Sequence, residues 1–142
     1  APDFFMPQLG RTLGEELLKP TVIYVPLVLS LLKDFTVKGI AHITGGGLKL
    51  NLPRILPAGV KAVIEKDRWT VPPVFPLVQE YGNVPEGEMY RTFNMGIGMV
   101  LVVSSQSSGD VLAWIAENGG KAWEIGVIQE NDAQEAGVEI RN

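Results

Sequence analysis

Cysteine is absent from these 142 residues, and histidine occurs once, as His42. The first absence removes disulfides, thiolate metal ligands and thiol nucleophiles together, and it fits a reducing cytoplasm. The second leaves no histidine cluster, so no metal site is expected within this chain. A basic excess is missing too: 12 Lys and Arg stand against 16 Asp and Glu, for a formal charge of −4. A general nucleic-acid surface needs cations that displace counterions from a phosphate backbone, so no nucleic-acid partner is expected. Long apolar runs are scarce. VIYVPLVLSLL (Val22 to Leu32) is about half the ~20 residues a membrane-spanning helix requires, and Pro26 interrupts it. The opening APDFFMPQLGRTLGEELLKP lacks the basic-then-apolar order of a signal peptide. No membrane partner and a cytoplasmic location are the expectations, for a chain that reads as a piece of something longer.

What is present suits one globular domain: 46% hydrophobic and 20% charged residues at a length able to bury a core. Residues 1–20, rich in Pro, Gly and charge, read as an arm or connection, and 21–142 as the domain. Apolar spacings of three and four predict a helix over VPLVLSLLKDF (25–35), with Pro26 tolerable in the first turn. VKGIAHIT (37–44) alternates and reads as a strand ending at three glycines. GLKLNLPRIL (47–56) predicts a short helix that Pro53 bends or ends. Further strands are expected over 59–66, 95–104, 121–130 and 137–141, and further helices over 71–82, 86–94 and 108–120. The strand over 95–104 has the largely apolar pattern of one buried on both faces. Strands alternating with helices imply an α/β or α+β fold with a layered sheet.

Two stretches carry candidate chemistry. In HITGGGLKLN a strand delivers the chain to bare backbone and a helix start, the logic of an anion cradle built from unpaired N–H groups. A turn with no further purpose is the competing reading, since glycine clusters mostly punctuate structure. His42 is either a packing residue or a group suited to proton transfer near neutral pH. In RTFNMGIGM, Asn94 precedes Gly96 and Gly98, which bare one face of a strand start. Asn94 can cap a turn, or it can hydrogen-bond an amide or ribose. Glu86, Glu88 and Arg91 fit an exposed helix pair, and Trp69, Trp114 and Trp123 fit a core.

Taken together and in order, GIAHITGGGLKLNLPRILP, PPVFPLVQEYGNV, EMYRTFNMGIGMVLVV and EIGVI resemble the C-terminal half of AIR synthetase, the phosphoribosylformylglycinamidine cyclo-ligase family. The likeness runs from about Leu13 to Ile128. It implies a three-layer α/β/α arrangement with a mixed sheet, partly ferredoxin-like. It also implies a reaction in which ATP phosphorylates the formyl oxygen of formylglycinamidine ribonucleotide and an amidine nitrogen closes the imidazole ring. On this resemblance His42 and Asn94 are the catalytic candidates. Thr44, Gly45, Gly46, Gly47, Asn51, Arg54, Gly96 and Gly98 are the substrate- or phosphate-binding candidates. ATP and Mg²⁺ are expected to be held mainly by an N-terminal half that this chain lacks. That half is its expected partner and the seat of a homodimer, so this domain alone should be inactive. The family's connecting segment is usually basic where this chain has Val22 and Pro26. Another ATP-dependent kinase or synthetase of the same superfamily, or a nucleotide-binding module without catalysis, are the alternatives. A domain separated from a covering half should expose an apolar patch.

Overall fold

A computed structural model describes residues 2–142. The chain opens with a small hairpin, β1 (Phe5–Met6) against β2 (Arg11–Thr12), followed by the short helix α1 (Leu13–Leu17). Thr12 and Glu15 form a reciprocal capping box at the start of α1, which is why so short a helix forms here. Thr12's amide hydrogen bond holds the Glu15 carboxyl below its usual range. These three elements pack mainly against one another.

Helix α2 (Val25–Asp34) starts with Pro26 in its first turn and leads through an extended Phe35 into β3 (Gly39–His42). The expected 47–56 helix is split at the proline: α3 (Gly47–Asn51) passes into a 3₁₀ turn over Leu52–Ile55. Then come β4 (Val60–Glu65), a 3₁₀ turn (Lys66–Arg68), α4 (Val74–Gly82) and α5 (Glu86–Thr92). The chain finishes with β5 (Met99–Val102), α6 (Ser108–Glu117), β6 (Gly126–Glu130) and β7 (Gly137–Arg141). No helix among the described residues is long and apolar enough to cross a membrane.

Helices and strands mix as the sequence implies, and the larger sheet is itself mixed. In the order β6-β4-β7, β4 pairs antiparallel with β6 and parallel with β7. The other main pairing is the antiparallel ribbon β3-β5, in which Gly39 faces Val102 and His42 faces Met99. This ribbon separates two cores. Ala41 and Val100 face the main one, built with Ile43, Leu48, Leu52, Ala62, Ile64, Trp69, Met89 and Ile97. Leu101 and Val103 face the smaller one, where α2 and α6 meet through Leu31, Val111 and Ile115. The apolar run of β5 thus follows from two-sided packing.

Several expected elements are shorter than their apolar patterns. The strand expected over 95–104 begins only at Met99, because Met95 and Gly96 take left-handed φ values of 52° and 96° and form a turn. Residues 121–125 precede β6 without joining it. Trp69 is buried as expected, whereas Trp114 and Trp123 lie half-buried at the edges of the two cores. On α2, Val25, Leu29 and Leu32 recur at spacings that share one helix face, and they are exposed along with Val22 and Ile23. The expected apolar surface is therefore there.

Candidate functional site

The two motif stretches meet because of the β3-β5 register. Where pairing ends at His42 and Met99, the Ile43 N–H still donates to the Gly98 carbonyl at 2.9 Å. The glycine loop after β3 and the turn before β5 thereby leave the ribbon side by side.

Each loop is held by an asparagine. Asn51 is the only buried polar side chain among the described residues. Its Nδ2 lies 2.8 Å from the Gly47 carbonyl, 3.3 Å from that of Gly45 and 3.4 Å from that of Thr44. The loop's carbonyls are thus drawn inward, while the Gly45 and Gly46 N–H groups donate no hydrogen bond within the described chain. Arg54, exposed on the following 3₁₀ turn, donates from Nη1 to Asn51 Oδ1 at 3.4 Å. In the second loop Asn94 acts through its oxygen: Oδ1 accepts the Gly96 N–H at 3.0 Å. The Asn94 carbonyl accepts from Ile97 at 2.9 Å, and the Trp69 indole donates to the Met95 carbonyl at 2.9 Å. This buried indole fixes a turn that contains a left-handed methionine.

The glycines have different reasons. Gly46 and Gly47 take φ values of 99° and 56°, and a side chain on Gly47 would run into the Tyr90 and Phe93 carbonyls. Gly96 combines φ of 96° with a close approach by Pro72. Gly98 is bare because the Tyr24 hydroxyl occupies the space a Cβ would take. Gly45 alone among the five faces open space, with no left-handed backbone, so nothing among the described residues requires glycine there.

His42 is exposed at the end of β3, and its imidazole makes no hydrogen bond to the described chain. The Tyr24 ring meets it edge-on, with centroids 6.3 Å apart and planes at 64°. Burial raises the Tyr24 pKa above its usual value, so the phenol stays protonated. Thr44 is exposed at the mouth of the glycine loop. The structure thus brings His42, Thr44, Gly45, Gly46, Asn51 and Arg54 to one loop, and Asn94 and Gly98 to the neighbouring one. Gly47 and Gly96 serve the packing of the loops themselves. Tyr24, Trp69 and Pro72 are the residues sequence reasoning did not attach to the site. Their contacts come from parts of the chain remote in sequence, and no local pattern announces them.

With this geometry in place, comparison with known proteins is decisive. The family described as AIR synthase related protein, C-terminal domain, matches residues 2–139. The chain belongs to this family. It is 51% identical over 95% of its length to the phosphoribosylformylglycinamidine cyclo-ligase of Citrifermentans bemidjiense, covering 39% of that protein. To the enzyme of the same name in Caldicellulosiruptor bescii it is 54% identical over 88% of the chain, covering 37% of that protein. To that of Trichlorobacter lovleyi it is 52% identical over 87%, covering 36%. The chain therefore spans about two fifths of the length of the curated relatives it matches. For a domain of this family, the two adjoining asparagine-held loops are the candidate site.

Proposed function

We propose that this chain is the substrate-facing C-terminal half of a phosphoribosylformylglycinamidine cyclo-ligase. The complete enzyme closes the imidazole ring of formylglycinamidine ribonucleotide, with ATP, to give aminoimidazole ribonucleotide, ADP and phosphate in cytoplasmic purine biosynthesis. The observation that carries the reading is the Asn51-anchored loop, with its carbonyls turned in and the Gly45 and Gly46 N–H groups unpartnered. Such a surface suits phosphate oxygens, which accept but do not donate. Arg54 adds a guanidinium beside it, able to take an oxyanion by charge-assisted hydrogen bonds.

In this reading His42 takes the proton released as the amidine nitrogen attacks, and the free Nδ2 of Asn94 orients the substrate. Gly98 and Thr44 line the approach. In this reading magnesium is held mainly outside this chain. Among the described residues no three His, Asp or Glu side chains cluster, and the side chains gathered at the loops include no carboxylate. The metal and most of the ATP contacts belong instead to the N-terminal half, which also forms the homodimer. Val22 is exposed and Pro26 starts a helix, so the connecting segment supplies no phosphate-binding cation at those positions. The exposed stripe of Val25, Leu29 and Leu32 supports a covering partner.

The test is ring closure from formylglycinamidine ribonucleotide, ATP and Mg²⁺, using this chain alone and mixed with a separately produced N-terminal half. Activity is expected only in the mixture. His42→Ala is expected to lower kcat by roughly 10²–10⁴-fold, the range for losing a positioned acid or base. An unchanged kcat would remove His42 from the mechanism. Nucleotide binding by this chain without turnover, even with the N-terminal half supplied, would favour a binding module that has lost catalysis.

A further inference from the structure

Tyr24 joins two observations that otherwise stand apart. Gly98 has no unusual backbone angle, yet a side chain there is forbidden, because the Tyr24 phenol lies directly over its Cα. His42 has no hydrogen-bonding partner in the described chain, yet one aromatic ring abuts it edge-on. The same residue accounts for both. Tyr24 stands at the N-terminal boundary of α2, where its backbone carbonyl accepts from Val28 at 3.0 Å, so the ring is carried by a helix end instead of a free loop. Gly98 in turn is tied to the His42 strand through the Ile43 N–H. Tyrosine, glycine and histidine thus form a closed set spanning α2, the turn before β5 and the end of β3.

We propose that Tyr24 is a positioning residue: its ring, seated on bare Gly98, fixes the orientation of the His42 imidazole. An exposed imidazole without hydrogen bonds rotates freely about two side-chain torsions, and a catalyst in such a state spends little time in the productive geometry. An edge-to-face aromatic neighbour restricts that rotation, because the hydrogen-bearing edge of one ring prefers the face of the other. The orienting element is the ring, and the hydroxyl serves to fill the space above Gly98. The orientation itself does not depend on the reaction; its catalytic consequence rests on the proposed role of His42.

The single histidine makes the test direct, since the chain gives one imidazole spin system in a ¹H–¹³C NMR spectrum. Tyr24→Leu is expected to shift both imidazole cross-peaks, through the lost ring current, with the melting curve showing that the protein is folded. Gly98→Ala, which displaces the phenol, is expected to produce the same direction of shift. Tyr24→Phe, which keeps the ring, is expected to leave the peaks in place. In the enzyme reconstituted with its N-terminal half, Tyr24→Leu should lower kcat by roughly 10–100-fold, as for a catalytic group misplaced by about an ångström. KM should stay within about twofold, because ground-state binding is untouched, and Tyr24→Phe should restore kcat. Unmoved imidazole peaks in Tyr24→Leu would overturn the proposal. So would a Tyr24→Phe variant as slow as Tyr24→Leu, since the hydroxyl would then be the working part. Shifted peaks together with an unimpaired His42→Ala enzyme would uphold the orienting contact and sink the catalytic reading of His42.

Discussion

The glycine loop after β3 and the turn before β5 are each organised by one asparagine, but by opposite ends of the amide. Asn51 donates to carbonyls from a buried position, and the Gly45 and Gly46 N–H groups of the loop above it find no acceptor among the described residues. Asn94 accepts an N–H from a half-buried one, so its turn is closed by consuming a donor. In the proposed reading the first arrangement receives an anion and the second is a support. The glycines divide along the same line. Gly96 and Gly98 are filled against by Pro72 and Tyr24, whereas Gly45 faces open space. Two stretches with the same look in the sequence therefore do different work.

The sharpest way to break this comparison lies inside the triplet. Gly47→Ala forces a methyl toward two backbone carbonyls at a left-handed φ, and should cost about 3–5 kcal/mol, adding backbone strain to overpacking. Gly45→Ala should change stability by no more than about 0.5 kcal/mol. It should instead weaken binding of a phosphate-bearing ligand by roughly tenfold, about 1.4 kcal/mol. Denaturant melts of the two variants decide this, and equal destabilisation would show that the loop has no bare outward side.

A smaller difference is expected between the anchors. Asn51→Ala removes the buried amide that donates to the Gly47, Gly45 and Thr44 carbonyls and should cost about 2–4 kcal/mol, whereas Asn94→Ala loses one half-buried turn bond and should cost about 1 kcal/mol. If the order reverses, the support and the receiving surface have been assigned the wrong way round.

The smallest effect tests an ion pair that belongs to neither loop. On β7, Glu139 accepts from Arg141 Nε at 2.7 Å and from Lys61 Nζ at 2.6 Å, which holds its pKa down at about 2. A folded pKa below the ordinary value of 4.5 means this stabilisation is present above about pH 4.5 and fades as pH falls toward 2. Glu139→Gln should therefore slightly lower the melting temperature at pH 7, with the difference from the parent gone near pH 2. Phosphate binding at the loops should be unchanged, which separates sheet from site.

Much of this was legible along the chain. Helix α6 follows the spacing of Val111 and Ile115, and its end is marked by Gly119 at φ 77°, just where NGG stops the apolar pattern. Pro53 divides its helix as a missing N–H requires. The two motif stretches were visible as candidates, and their adjacency was not, because it depends on strand register. Composition could not say which asparagine is buried, and Gly98 is bare because of Tyr24, a partner far away in sequence. The terminal hairpin and α1 escaped notice for another reason: elements of two to five residues rest on capping and turns, without enough length for periodicity.

One feature of the sheet bears on how the protein is made. Strand β7 lies parallel to β4, and the bridge between Lys61 and Glu139 joins residues separated by 78 positions. A polypeptide emerging residue by residue from the ribosome presents β4 long before its neighbour exists. Until Gly137–Arg141 follows, one flank of β4 has unpaired peptide groups, and Val138 and Ile140 are missing from the main core. Closure of so distant a pair is slow, and an open strand edge during that wait invites association between nascent chains. The open β4 edge before β7 docks is thus a kinetic vulnerability distinct from the equilibrium stability of the folded domain.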